Sequence, residues 1–317
     1  MLAFGSGLTY GAVADELPIQ VTITDPNAPP PSGWAGLGAY VALTKPRIIE
    51  LLLITTVPSM VLAGGGWPGT WLVIATLIGG TLSAGGANAI NNYFDRDIDV
   101  VMRRTSRRPL PRDAIAPSHA LWFGVALGVI GFVWLWLLAN LLAGALATAA
   151  LLFYVFVYTM GLKRTTPQNI VIGGAAGAAP VLVGWAAVTG SLAPAAWLLF
   201  GIVFCWTPPH FWALAMRYKD DYASAGVPML PVVIGEQRTT WHILAYSLLL
   251  TAVSLLLWPI APTGVLYPIA ALILGVLLIV EAARLIRSPE RSMALFRYST
   301  VYLAVLFAMI WVDTALG

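Results

Sequence analysis

Asn88, Asn92, Asp95 and Asp99 stand at i, i+4, i+7 and i+11 in a stretch that reads NAINNYFDRDIDVVMRRTSRRPLP, residues 88–111. At about 100° per residue these four fall within roughly 60° of one another on one helix face, and Asp97 falls on the opposite side. Two carboxylates one turn apart, with carboxamides stacked above them, suit a hard divalent cation. Mg²⁺ is held this way and completes its shell with water and substrate phosphate. Arg103, Arg104, Arg107, Arg108 and Arg112 follow the stripe. Guanidinium groups take phosphate oxygens in forked pairs.

Three further stretches carry polar chemistry. Residues 210–231 read HFWALAMRYKDDYASAGVPMLP. His210, Arg217 and Asp221 share a helix face there, and Asp220 lies about 80° to the side. Pro208 and Pro209 precede His210. Proline inside a helix removes a backbone hydrogen bond, and the expected bend makes space for a bulky ligand. Residues 163–177 read KRTTPQNIVIGGAAG. Thr166 is the expected N-cap of a helix whose first residue is Pro167, and a helix N-terminus beside Lys163 and Arg164 favours an anion. Gly173 and Gly177 form a GxxxG pair, expected to bring helices close or to keep a wall flat for a ring or a polyprenyl chain. Lys45-Pro46-Arg47, with Glu50 just beyond, reads first as a topology signal before a membrane helix.

The elements that must position these residues are membrane helices. The chain is 59% hydrophobic and 10% charged, with a mean hydropathy of +0.83, whereas a soluble domain carries about 25% charged residues. The single cysteine, Cys205, excludes an internal disulfide and any multi-cysteine metal site. Apolar runs long enough to span fall at 48–66, 71–93, 119–138, 141–160, 168–189, 195–216, 240–260, 264–285 and 297–316. The fold expected is therefore all-α and integral to the membrane, a nine-transmembrane-helix bundle over residues 37–317. Residues 1–36 are polar and Pro-rich and read as a disordered cytoplasmic tail. With nine spans, all 17 Lys and Arg lie on one side. The positive-inside rule then puts the N-terminus in the cytoplasm, the C-terminus outside, and the polar chemistry on the cytoplasmic face.

Acidic stripes on two helices, ringed by basic residues at one rim of an apolar bundle, suit a substrate with a diphosphate and a greasy tail. Metal and cations stabilise the leaving diphosphate, and the allylic cation is shielded from water until an electron-rich acceptor attacks. That is prenyl transfer. A transporter would be expected to hold its site at the bilayer midplane on broken helices. Here the acids lie at one rim.

The pattern N-N-x-x-D-R-D-I-D followed by M-x-R-T-x-x-R-P-L, within 91–110, resembles the first Asp-rich motif of the UbiA superfamily of intramembrane prenyltransferases. Within that superfamily, TKPRIIELL at 44–52, KRTxxxNIVIGG from Lys163, PPHFW at 208–212 and KDDYxxAGVPMLP at 219–231 resemble the protohaem IX farnesyltransferases, or haem O synthases. The resemblance covers roughly residues 40–315. It implies that farnesyl diphosphate is joined to a vinyl group of haem B with addition of water, giving haem O for haem–copper terminal oxidases. It implies Mg²⁺ held by Asn92, Asp95, Asp99 and Asp221, with Asp95, Asp99, Asp221 and Lys163 in the catalytic set. Arg104, Arg108, Arg164, Asn88, Asp220 and Arg217 are then expected at the substrate, and His210 is the candidate for orienting haem. The second motif departs from the superfamily's usual D-x-x-x-D, since four residues before Asp221 stands Arg217. The other acceptor weighed is a quinone precursor or chlorophyllide. The implied setting is a bacterial plasma membrane, with the lipid bilayer and a haem A synthase or terminal oxidase subunits as partners, and no nucleic acid.

Overall fold

A computed structural model describes residues 34–261 and 263–316, and among these every regular element is helical. A short helix α1 (Trp34–Thr44) leads into α2 (Pro46–Gly64). Helices α3 (Thr70–Val101), α4 (Pro117–Leu138) and α5 (Leu141–Leu162) follow, the last turning from α- to π-helical pitch at Phe153. Then come α6 (Asn169–Thr189), α7 (Pro194–Arg217) and the short α8 (Lys219–Ser224) and α9 (Leu230–Val233). Helices α10 (Glu236–Leu256), α11 (Leu266–Arg287) and α12 (Ser292–Leu316) complete the fold.

Among the described residues, eight helices are long and apolar enough to cross a membrane, namely α3 to α7 and α10 to α12. Their outward faces are apolar, as at Trp122 and Leu137, which are 68% and 69% exposed. The expected tail, 1–36, lies outside the described residues except where α1 begins at Trp34. Helix α1 was not expected. Its 11 residues are too short to span, and it packs on α3 with Leu43 buried while Leu37 and Val41 stay exposed.

Each spanning helix packs on the next, and α12 returns against α2. Small residues set the closest approach. A Cβ added at Gly86 of α3 would lie 2.6 Å from the Gly124 carbonyl oxygen of α4, and one at Gly124 would meet the Gly86 carbonyl at 2.8 Å. Bulkier side chains fill the other half of the bundle, where Leu199, Trp206, Tyr267, Tyr302 and Phe307 form one buried cluster. The turn between α4 and α5 is made by Asn140. Its Oδ1 accepts the Ala143 N–H at 2.9 Å and its Nδ2 donates to the Ala186 carbonyl at 2.7 Å, which caps α5 and ties the hairpin to α6.

Candidate active site

Helix α3 has 32 residues, about 48 Å at 1.5 Å per residue, so its last turns run beyond a hydrocarbon core of about 30 Å. Those turns carry the acidic stripe. Asp95 is fully buried and Asp99 nearly so. Charges this deep need partners, and other elements supply them. Lys163 Nζ donates to Asp95 Oδ2 at 2.5 Å. Arg108 Nη1 donates to both oxygens of Asp99, at 2.8 and 2.6 Å. The loop bearing Arg108 turns back along α3 because Thr105 Oγ1 donates to the Asp99 carbonyl at 3.0 Å.

Lys163 reaches Asp95 through the π-helical end of α5. Its backbone N–H donates to the carbonyl of Tyr158, five residues back, at 2.8 Å. π-Helical turns are rare and gather at functional sites. This one stacks Tyr154 on Tyr158 with centroids 5.4 Å apart and turns Thr159 toward α3. Gly173 leaves room for the Tyr158 ring, on whose edge any Cβ would fall. The Lys163 ammonium sits below the usual lysine range because burial outweighs the attraction of Asp95. Arg164 points the other way. It forms a forked pair with Asp97 at 2.6 and 2.7 Å, donates to the Phe94 carbonyl at 2.9 Å, and approaches Asp95 Oδ1 only to 3.8 Å. The pair with Asp97 raises the guanidinium further above its usual value.

The carboxamides divide the work differently from a single stripe. Asn88 Nδ2 donates to the Thr44 carbonyl at 3.0 Å, and Asn92 Nδ2 to the Leu43 carbonyl at 3.1 Å, so both fasten the end of α1 to α3. Asn91, absent from the expected set, is the residue that meets the acid. Its Nδ2 donates to Asp95 Oδ2 at 2.6 Å and to Thr159 Oγ1 at 3.1 Å, and its Oδ1 accepts from Lys45 Nζ at 2.7 Å. Burial, with Arg108 and Lys163 nearby, holds Lys45 well below the usual ammonium range. The sequence signal for Asn91 was its place four residues before Asp95.

The residues fit Mg²⁺. Asn92 Oδ1 and Asp95 Oδ1 are buried without a hydrogen-bond partner among the described residues, so two hard oxygens are left over on the same turn of α3. Among the described residues no three His, Cys, Asp or Glu side chains gather into a metal cluster. Mg²⁺ does not require one, since one or two carboxylates with substrate phosphate suffice. Asp221 is not gathered with Asp95 and Asp99.

An apolar cleft lies between α2, α3, α5 and α6, and on α3 its lining ends at Asn88, about two turns before Asp95. Its empty volume is about 820 Å³ counting the open mouth. Asn88 and Tyr154 line its polar end, and Thr76, Leu77 and Val183 line the far end. Twelve residues of α3 separate Asn88 from Thr76, about 18 Å along the axis. Gly177 forms part of the wall with nothing within 4 Å of where its Cβ would be, so of the GxxxG pair one glycine seats Tyr158 and the other flattens the cleft.

The second acidic stretch is α8. An apolar cluster of Ile98, Met102, Met216, Tyr222 and Met229 packs it on the end of α3. Arg104 bridges the two motifs. Its Nη2 donates to Tyr222 Oη at 3.3 Å, and its guanidinium lies 5.9 Å from the centroids of both Tyr218 and Tyr222. Asp220 and Arg217 are exposed and Asp221 is half-buried, with no side-chain partner for any of them among the described residues. Lys219 pairs with Glu236 at 3.3 Å. His210 stands apart from the acids, 8% exposed, between Trp206 and Phe296 with ring centroids at 4.2 and 4.3 Å. Its Nδ1 is 2.8 Å from Ser299 Oγ of α12. The expected cap at Thr166 is corrected. Helix α6 begins at Asn169, and Thr166 Oγ1 accepts the Gln168 N–H at 3.2 Å in a turn ahead of it. The cause is local, since that turn satisfies the threonine hydroxyl before the helix starts.

Comparison with known proteins bears on most of the chain. The model of the UbiA prenyltransferase family matches residues 52–311. The protoheme IX farnesyltransferase of Salinispora tropica is 55% identical over 285 residues, covering 88% of this chain and 89% of its own. That of Frankia alni is 54% identical over 281 residues, covering 87% and 97%. Among solved structures, one from work on digeranylgeranylglyceryl phosphate synthase in membranes superposes with a TM-score of 0.74 at 20% identity, over 89% of this chain and 99% of that one. A UbiA homolog from Archaeoglobus fulgidus bound to DMAPP and Mg²⁺ superposes with a TM-score of 0.60 at 16% identity, over 86% and 99%. On the family match and these relatives together, the chain belongs to the UbiA prenyltransferase family.

Proposed function

We propose that this prenyltransferase moves the farnesyl group of farnesyl diphosphate to a vinyl group of haem B, with addition of water, giving haem O and diphosphate. One observation carries the prenyl chemistry. The buried, cation-ringed Asp95 and Asp99 stand about two and three turns beyond Asn88, at the polar end of an apolar cleft that runs about 18 Å along the same helix. A diphosphate at the carboxylates and a prenyl tail in the cleft fill both. The names of the relatives supply the farnesyl and haem specificity.

Asp95, Asp99 and the oxygen of Asn92 would hold Mg²⁺, which when bound neutralises the diphosphate and eases its departure. Lys163 and Arg108, seated on the same carboxylates, are placed to take phosphate oxygens as charge moves onto the leaving group. The C–O bond breaks with its electron pair going to diphosphate. The apolar walls and the Tyr154–Tyr158 stack keep water from the allylic cation until the vinyl π electrons attack, and the cation this leaves on the other vinyl carbon is then captured by water, which loses a proton. Asn91 fixes the Asp95 carboxylate. Arg164, engaged by Asp97, fastens the α5–α6 loop to α3 and acts by positioning. Arg104, with Tyr218 and Tyr222, joins α8 to the mouth, where Asp220, Asp221 and Arg217 are free to meet substrate. His210, in the Pro208–Trp212 run and in helical phase with Arg217 and Asp221 along the sequence, is the candidate for orienting haem.

We count α2, 19 residues long, as the ninth span. The one-sided distribution of Lys and Arg then supports a cytoplasmic site, with the N-terminus on the same side. The test is to incubate membranes carrying the protein with farnesyl diphosphate, Mg²⁺ and haem B or a quinone precursor, and to identify products by mass spectrometry. Haem O that disappears with chelator is expected. Prenylation of the quinone precursor alone would move the acceptor and leave the site chemistry in place.

A further inference from the structure

A topology charge needs only to sit in the headgroup region, and Lys45 does more than that. It is one of two non-glycine residues with positive φ among the described residues, at φ 54° and ψ 63°. Side-chain-bearing residues enter this left-handed region where surrounding structure enforces it, and a following proline narrows the choice further. Here three carboxamides of α3 hold three consecutive residues. Asn92 binds the Leu43 carbonyl at 3.1 Å, Asn88 the Thr44 carbonyl at 3.0 Å, and Asn91 the Lys45 ammonium at 2.7 Å. The junction between α1 and α2 is thereby clamped with its lysine turned inward, one carboxamide away from Asp95.

Charge and valence show what this arrangement lacks. Arg164 and Asp97 neutralise each other. That leaves Lys45, Lys163 and Arg108 around Asp95 and Asp99, an excess of positive charge that a divalent cation would increase. A lysine ammonium has three donors, and among the described residues Lys45 uses one, toward Asn91. A diphosphate ester brings several negative oxygens to such a cluster.

We propose that Lys45 is a further phosphate-binding residue of the active site. Its ammonium takes an oxygen of the diphosphate, and Asn88, Asn91 and Asn92 hold the strained junction that aims it. The inference rests on the prenyl diphosphate reading above, and its test separates the two. The purified full-length protein and its K45M, K45R and K45G variants are titrated with inorganic diphosphate in the presence of Mg²⁺, and separately with haem B. Thermal melting and wild-type haem O formation are recorded alongside.

K45M is expected to bind diphosphate about tenfold more weakly or worse, as for loss of a charge-assisted bond, with haem B affinity unchanged. K45G should lose diphosphate binding to the same extent yet melt no lower than wild type, because glycine accepts this φ without strain. K45R should fall between K45M and wild type. Diphosphate binding within twofold of wild type in K45M overturns the proposal. So does an equal loss of diphosphate and haem B binding in both K45M and K45G, which would make Lys45 a structural residue. Wild-type protein that makes no haem O overturns the reaction reading instead, and the diphosphate titrations still decide the role of Lys45.

Discussion

Asn91 shows what a single side chain contributes here. It donates to Asp95, accepts from Lys45 and reaches Thr159, so three elements meet at one carboxamide. Removing it leaves the buried carboxylate held by Lys163 as its one close donor among the described residues, without the carboxamide that fixes its orientation. Asn91→Ala is expected to lower kcat/KM for farnesyl diphosphate about 10–100-fold, as for other residues that orient a ligand-binding group. Steady-state kinetics on the purified variant would check this, and an unchanged value would remove Asn91 from the site. Asp95 and Asp99 were legible from spacing alone, because two acids at i and i+4 share a face whatever surrounds them. Asn88 and Asn92 satisfied the same rule and were placed at the substrate or the metal. The structure turns their Nδ2 groups to Thr44 and Leu43. Those partners lie more than forty residues away in sequence, and helical phase carries no information about them.

At the scale of elements, the spanning helices read clearly from apolar length, and even the short turn at Asn140 fell where expected. Helix α1 was missed because an 11-residue helix has no spanning-length signal. The π-helical end of α5 was missed because pitch depends on packing against α3 and α6, which sequence periodicity does not encode. Yet that pitch is what delivers Lys163 to Asp95. The register of α3 against α4 depends on glycine. A methyl at Gly86 meets backbone atoms at 2.6 and 2.9 Å, and no flexible side chain can yield there. Gly86→Ala is therefore expected to destabilise. Overpacking of about 1–3 kcal/mol outweighs the roughly 1 kcal/mol of helix propensity gained. A lowered melting temperature in detergent would show it, and a raised one would mean that α3 and α4 separate easily.

For the molecule as a whole, the bundle places an acidic, cation-ringed rim beyond one end of an apolar cleft, and on the proposed reading the cleft's length would set the length of prenyl tail it takes. Gly80 lies eight residues from Asn88 along α3, about 12 Å, and its Cβ position faces open space in the cleft wall. Gly80→Phe is expected to block the distal third and to shift the kcat/KM preference from farnesyl toward geranyl diphosphate by about tenfold or more. Competition between the two donors would measure it, and an unchanged ratio would place the tail elsewhere. The second acidic stretch was legible as a motif and not as a site. Arg104 joins it to the first, but Asp220 is exposed and Asp221 half-buried, and neither side chain has a partner among the described residues.

The central claim is that Asp95 and Asp99 activate a prenyl diphosphate. The most direct measurement is haem O formation by the isosteric variants Asp95→Asn and Asp99→Asn in membranes, with protein levels matched to wild type by immunodetection. Loss of at least about a hundredfold in each variant, with the protein still inserted, is predicted. Product at the wild-type rate from either variant would contradict the account.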